Sequence, residues 1–221
     1  MNRSMTRFTR AATAVATLSM LALTASTAAA QQSGGGMGRG AGRMRMAQME
    51  RTMVGWPAAS KEAAMFMTKK YGPPAAMTAD MAVWGKTGPW KRTVVFAREY
   101  AHAFPMPHTD VMQQWVDYKA PADTYDELAT YDGSVVLERT SGEMSARCDK
   151  EGANFLALNL AHDVATGKQT VEGARKMYGE QIMAMKAMKP APYTERLMFG
   201  STSNTGDPDQ PLGAMTTGAR P

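Results

Sequence analysis

The chain has 221 residues, a net charge of +5 and a sequence pI of about 9.3. Three arginines in the first 30 residues and a net charge of +3 over residues 31–52 account for this excess, so residues 53–221 carry a net charge of −1. A domain that binds nucleic acid is itself basic, which excludes nucleic acid as a partner of the folded part.

Residues 1–30 have the pattern of a secretory signal peptide. Three arginines precede an uncharged, apolar stretch over residues 11–25, and small residues end the segment at Ala30. The apolar stretch is weaker than the roughly 20 strongly apolar residues of a transmembrane helix. We therefore predict cleavage after Ala30, a mature chain without a transmembrane segment, and a periplasmic or secreted location with an unknown periplasmic or extracellular partner.

Two further segments have compositions typical of disorder. Residues 31–52 are rich in glycine, methionine and arginine and predict a disordered arm, with helix from about Ala47 as an alternative for its end. Residues 201–221 are rich in glycine, serine, threonine and proline and predict a disordered tail. Residues 53–200 remain as a single folded domain, long enough to bury a core without disulfides.

The first elements of this domain are a helix and a hairpin. Apolar residues recur at helical spacing over residues 60–71, and Gly72 followed by two prolines ends that helix. Segments 78–85 and 90–100 are rich in β-branched and aromatic residues and flank a Gly-Pro turn, which predicts two paired strands.

The middle of the domain is harder to assign. Residues 101–110 contain Pro105 and Pro107, which interrupt regular strand pairing, so they are predicted to form a loop. Residues 111–118 fit a short helix or an extended stretch, and we predict the helix.

The last third predicts a second hairpin and two helices. Strands are expected at residues 134–138 and 143–147, helices at 148–167 and 171–189, and a short edge strand at 194–199. Hairpins without alternating βαβ units indicate an α+β fold. We expect an antiparallel sheet built from two hairpins, with three or four helices packed against it.

The three histidines are the candidate metal ligands. His102 and His108 lie in the predicted loop together with Asp110, while Glu151 and His162 lie about three turns apart on one side of helix 148–167. If the loop folds over this helix, the histidines and one of the carboxylates can ligate a divalent metal. The competing interpretation is that these polar side chains form hydrogen bonds in the core and bind no metal.

Cys148, the only cysteine, allows a different chemistry. A thiol near the start of a helix has a lowered pKa and, with a histidine as base, can act as the nucleophile of a hydrolase. The alternative is a buried, inert side chain. No motif identifies a reaction or a cofactor, so we expect a non-catalytic binding or structural module, with a metal-binding protein and a thiol-dependent hydrolase as alternatives.

Overall fold

The computed structural model describes residues 46–200 and 202–212. The predicted signal peptide, the predicted arm up to residue 45, and residues 213–221 of the predicted tail lie outside this part. Within the described residues, no helix has the length and apolar character needed to cross a membrane.

Helices and a single antiparallel sheet make up the fold, which confirms the predicted α+β class. The helices are α1 (residues 46–52), α2 (Ala58–Tyr71), α3 (Tyr125–Tyr131), α4 (Glu151–Ala165) and α5 (Val171–Lys186). The strands are β1 (Ala76–Met77), β2 (Met81–Trp84), β3 (Arg92–His102), β4 (His108–Asp117), β5 (Val135–Glu138) and β6 (Glu143–Cys148). Short 3-10 helices occupy Ala122–Thr124 and Pro192–Thr194. The strand order is β1-β2-β3-β4-β6-β5, and all neighbouring strands are antiparallel.

Strand β4 replaces the helix that we predicted for residues 111–118, so that prediction is wrong. It lies inside the sheet, between β3 and β6. Gln114 explains the error, because it is fully buried at a position where a strand pattern would show an apolar residue. It donates to Thr93 Oγ1 at 3.2 Å and accepts from Asn154 Nδ2 at 3.0 Å, so its amide is satisfied inside the core.

Half of the predicted loop over residues 101–110 is also strand. Strand β3 extends to His102, β4 begins at His108, and these two histidines are partners in the register. Pro105 and Pro107 lie in the connection between the strands, where their missing N–H groups cost no ladder hydrogen bonds. The hairpin is therefore longer than the prolines suggested, and it brings two histidines face to face.

Helix α1 lies within the segment that we predicted as a disordered arm. Its Met49 is 3% exposed and packs with Met53, Met67 and Trp84 in an apolar cluster between α1, α2 and the sheet. A stretch without aromatic residues is thus anchored by methionine, whose flexible side chain fills irregular gaps.

Helix α4 is the core helix of the domain. All of its residues except Gly152 and His162 are buried. It packs against β6, α5 and the 3-10 turn Pro192–Thr194. The side chain of Asn159 holds the segment after this turn by donating to Tyr193 O at 2.9 Å and Arg196 O at 2.8 Å. Residues 195–199 form no strand, so the predicted edge strand at 194–199 is wrong.

Candidate functional site

The side chains of His102, His108 and Asp110 converge at the turn end of the β3–β4 hairpin. The two imidazole rings have their centroids 4.9 Å apart, as expected for a cross-strand pair. Asp110 follows His108 by two residues on β4 and therefore lies on the same face of the strand. One nitrogen or oxygen atom from each residue lies within 4.8 Å of the others, and the described residues contain no second group of this kind.

The atoms that face one another in this cluster, which we call the hairpin cluster, are close together. His108 Nε2 lies 3.1 Å from Asp110 Oδ1, which is ion-pair distance, and His102 Nδ1 lies 3.3 Å from Asp110 Oδ2. Asp110 is 2% exposed, and His102 Nδ1 has no hydrogen-bond partner. Ligands of a tetrahedral zinc ion, with bonds near 2.0–2.1 Å, are roughly 3.4 Å apart. The observed separations therefore leave these atoms near the spacing that a shared cation imposes.

The other nitrogen of each histidine also faces an oxygen atom, but only that of His108 lies within hydrogen-bond distance of it. His108 Nδ1 lies 2.8 Å from the carbonyl oxygen of Met106, and His102 Nε2 lies 3.6 Å from Asp132 Oδ1. Asp132 is itself oriented by the backbone N–H and the hydroxyl of Ser134, both at 2.8 Å. Histidines that bind metals usually donate their second N–H to a carbonyl or a carboxylate in this way. Both rings thus present their other nitrogen to Asp110.

Charges around the hairpin cluster are partly balanced by protein groups. The Asp110 carboxylate and the Cys148 thiol raise the pKa of His108 to about 11, so its ring is an imidazolium when no metal is bound. Burial raises the pKa of Asp132, although the hydrogen bonds from Ser134 oppose this effect. The guanidinium of Arg147 lies 4.0 Å from Asp110 Oδ2. A metal ion entering here displaces the His108 proton, as metal binding to histidine requires.

Cys148 borders the hairpin cluster without joining the group of three. It is the last residue of β6, and its Sγ lies 3.4 Å from His108 Nε2. The side chain is 6% exposed, and burial raises the pKa of the thiol. His108 directs the same nitrogen to Cys148 and to Asp110, whereas in a catalytic triad the acid binds the other ring nitrogen. The parts of a thiol nucleophile are therefore present, but they are not arranged as a triad.

Glu151 and His162 do not lie in the hairpin cluster, so the expected combination of His162 with the histidines and a carboxylate of the 101–110 segment is not formed. Glu151 accepts hydrogen bonds from Lys70, from Tyr71 at 2.7 Å and from Trp90 at 2.7 Å. All of these partners come from outside α4, so Glu151 connects this helix to α2 and to the turn before β3.

His162 lies near the C-terminal end of α4 and makes other contacts there. Its Nδ1 lies 2.9 Å from the Tyr118 hydroxyl, and its ring stacks on Phe199 with centroids 4.6 Å apart. Desolvation lowers the pKa of His162. These aromatic contacts make it part of the packing between α4 and the segment that follows the 3-10 turn.

Asp132 and Cys148 are neighbours of the hairpin cluster that the sequence did not place there. Asp132 was not among the candidate site residues, and Cys148 was interpreted as a nucleophile or as a buried, inert side chain. Neither has a local spacing to His102 or His108 that indicates contact, since Asp132 follows α3 and Cys148 ends β6. Their approach depends on the strand order, with β6 paired to β4.

A cavity of about 190 Å³ opens beside the hairpin cluster. His108 and Cys148 form one wall, the Pro105–Pro107 turn forms another, and Tyr178, Ile182 and Met185 of α5 close it. Most of these side chains are apolar, which makes the cavity suitable for a hydrocarbon group.

Comparisons with models of protein families, with curated proteins and with solved structures yield no match. The geometry of the hairpin cluster is therefore the basis for proposing a function.

Proposed function

We propose that this domain binds a divalent transition-metal ion through His102, His108 and Asp110. The observation that carries the proposal is the Asp110 carboxylate, which is buried between two histidine nitrogens, 3.1 Å from His108 Nε2 and 3.3 Å from His102 Nδ1. Buried carboxylates are normally hydrogen bonded or bound to a cation. Two imidazoles and one carboxylate suit Zn²⁺, and also Fe²⁺, and they leave at least one coordination position open.

The setting that we propose for this ion is an exported domain that acts by binding rather than by catalysis. The signal-peptide pattern of residues 1–30 supports a periplasmic or secreted location. The hydrogen bond between His108 and Met106, and the Asp132 carboxylate that faces His102, support binding as the task of the site, because both contacts orient the histidine rings.

Metal content and affinity test the proposal directly. The full chain, purified without chelators, should contain about one equivalent of metal by elemental analysis, and the chelator-treated protein should bind Zn²⁺ in calorimetry. Asp110→Asn preserves the shape of the side chain and removes its charge, so affinity should fall by more than the roughly 10- to 100-fold typical of an outer-sphere partner. Asp123→Asn, at an exposed position, is the matched control and should bind like the parent chain. Equal Zn²⁺ affinity in the parent and Asp110→Asn would overturn the assignment.

A thiol-dependent hydrolase is the second candidate, because Cys148 Sγ contacts His108 Nε2 at 3.4 Å. It requires an accessible thiol, whereas Cys148 is 6% exposed. Labelling of the native protein with a disulfide reagent distinguishes the two functions. Modification no faster than unfolding would eliminate the hydrolase, and modification on mixing would favour it over a metal site.

A further inference from the structure

We infer that the cavity beside the hairpin cluster binds a small apolar carboxylate, whose carboxylate group takes the open coordination position of the metal ion. This inference rests on the proposed function. It names the class of ligand that the ion would bind, and it identifies the cavity as the binding site for the apolar part of that ligand.

The size and lining of the cavity define the apolar part of the ligand. A cavity of about 150 Å³ with hydrocarbon walls accommodates benzene, and the cavity here measures about 190 Å³. Ile182, Met185, Tyr178 and Ala153 supply apolar surface, with Tyr178 only 2% exposed and Ile182 7% exposed. A single six-membered ring or a short branched alkyl group therefore fits, and a larger body does not.

The position of the cavity connects it to the ion. His108 belongs both to the hairpin cluster and to the cavity wall. Cys148 contacts His108 on this side, but it does not lie within the 4.8 Å group formed by the two histidines and Asp110. The coordination position beside His108 is thus left to a donor from outside the protein, as in zinc sites with three protein ligands.

Charge defines the head group of the ligand. A divalent ion with one carboxylate and two neutral imidazoles keeps a net charge of +1, which favours an anionic fourth ligand. Two lysines stand at the margin of the cavity. Lys150 is paired with Asp149 at 2.7 Å, whereas Lys186 contacts the thioether of Met106 and has no acidic partner among the described residues. A positive margin of this kind attracts an anion towards the cavity.

Cobalt provides a spectroscopic test with the full chain. The Co²⁺-loaded protein should show visible absorption bands that shift saturably and with 1:1 stoichiometry when benzoate is added. Ile182→Phe reduces the cavity without touching a ligand, so it should weaken benzoate binding at least about 10-fold while Co²⁺ affinity stays unchanged. Met185→Phe is the second variant, to be used if Ile182→Phe does not fold. Acetate, which lacks the apolar body, should bind more weakly than benzoate.

The outcomes separate this inference from the proposed function. If Co²⁺ binds but benzoate at up to about 10 mM leaves the spectrum unchanged, the carboxylate ligand is refuted and the metal site stands. If benzoate binds equally well with and without Co²⁺, coordination through the ion is refuted. If Co²⁺ itself does not bind, the metal site fails and the ligand assignment fails with it.

Discussion

His108 and Asp110 occupy alternate positions on β4, and His108 Nε2 lies 3.1 Å from Asp110 Oδ1. Strand periodicity alone places these two side chains on one face. The third member, His102, is added by the register of the hairpin, in which it is the partner of His108. Three candidate ligands are thus brought together by one hairpin, and the rest of the fold buries and orients them.

Asp132 should act as a positioning residue for His102. Asp132→Asn preserves size and keeps an oxygen for the Ser134 hydrogen bonds, but it removes the negative charge that faces His102 Nε2 at 3.6 Å. We expect Zn²⁺ affinity to fall about 10- to 100-fold in calorimetry, together with a change in the ring resonances of His102. Asp123→Asn serves as the control, and unchanged affinity in Asp132→Asn would show that this carboxylate does not orient the ligand.

Glu143 should contribute stability that depends on pH. Burial opposes its ionisation, but the ion pairs with Arg92 at 2.6 Å and Lys91 at 2.8 Å outweigh this effect and lower its pKa below the ordinary 4.5. A lowered pKa in the folded state means that the stabilisation is present above pH 4.5 and is lost as the pH falls through the folded-state pKa. Glu143→Gln should therefore reduce the free energy of unfolding by on the order of 2 kcal/mol at neutral pH.

The difference between Glu143→Gln and the parent chain should narrow in acid. Urea titrations at neutral pH and at about pH 3 measure it, since Glu143 is then partly protonated in the parent. Asp117→Asn is the comparison, because Asp117 also pairs with Lys91 at 2.8 Å but is 39% exposed. Its effect should stay below about 1 kcal/mol. If the free energies of unfolding of Glu143→Gln and the parent chain differ by the same amount at both pH values, the proposed role of Glu143 is wrong.

Gly142 should tolerate no side chain. Its φ is +63°, and a Cβ at this position would overlap the backbone of Thr205 and Gly206. Gly142→Ala should cost roughly 1–2 kcal/mol for the left-handed conformation, and it should also displace residues 205–206. Urea denaturation and faster proteolysis within residues 202–212 would report both effects. Gly133→Ala is the matched control, since nothing lies within 4 Å of its Cβ position; equal behaviour of the two variants would refute the prediction.

Asn159 should hold the chain that follows the last 3-10 turn. It donates to two carbonyl oxygens and accepts from the backbone N–H of Met198 at 2.7 Å. Asn159→Ala removes three hydrogen bonds, at about 1 kcal/mol each, so the free energy of unfolding should fall by roughly 2–3 kcal/mol. Hydrogen exchange at the Met198 amide should accelerate. Asn159→Asp keeps the acceptor and should protect this amide better than Asn159→Ala does.

Local patterns predicted elements wherever the buried residues are apolar. The helix expected at residues 148–167 corresponds to α4, whose leucines and alanines are buried on nearly every side. Strand β4 was missed because Gln114 is satisfied by Thr93, Asn154 and Met67, which come from β3, α4 and α2. A polar residue that depends on partners distant in sequence leaves no apolar alternation to detect.

The residues of the candidate site, too, were predictable only where their relationship is local in sequence. His102, His108 and Asp110 lie close together in sequence and were candidate ligands, but a site was expected only if their segment folded over helix 148–167, and the hairpin that groups them was not predicted. Asp132 reaches the site only through the packing of the connection between α3 and β5, so no spacing indicated it. Glu151 and His162 share one side of α4, but tertiary contacts with Trp90 and Tyr118 engage them elsewhere.

The compactness of the hairpin cluster in sequence has a kinetic consequence. Its three members lie within residues 102–110, so only a short stretch of chain must close to bring them together. Closing a short loop costs little chain entropy, and isolated hairpins form within about 1–10 µs. We therefore expect an ion to engage the β3–β4 hairpin before β6 and the C-terminal helices have docked. The metal would then shorten the search for the correct strand register as well as stabilise the finished domain.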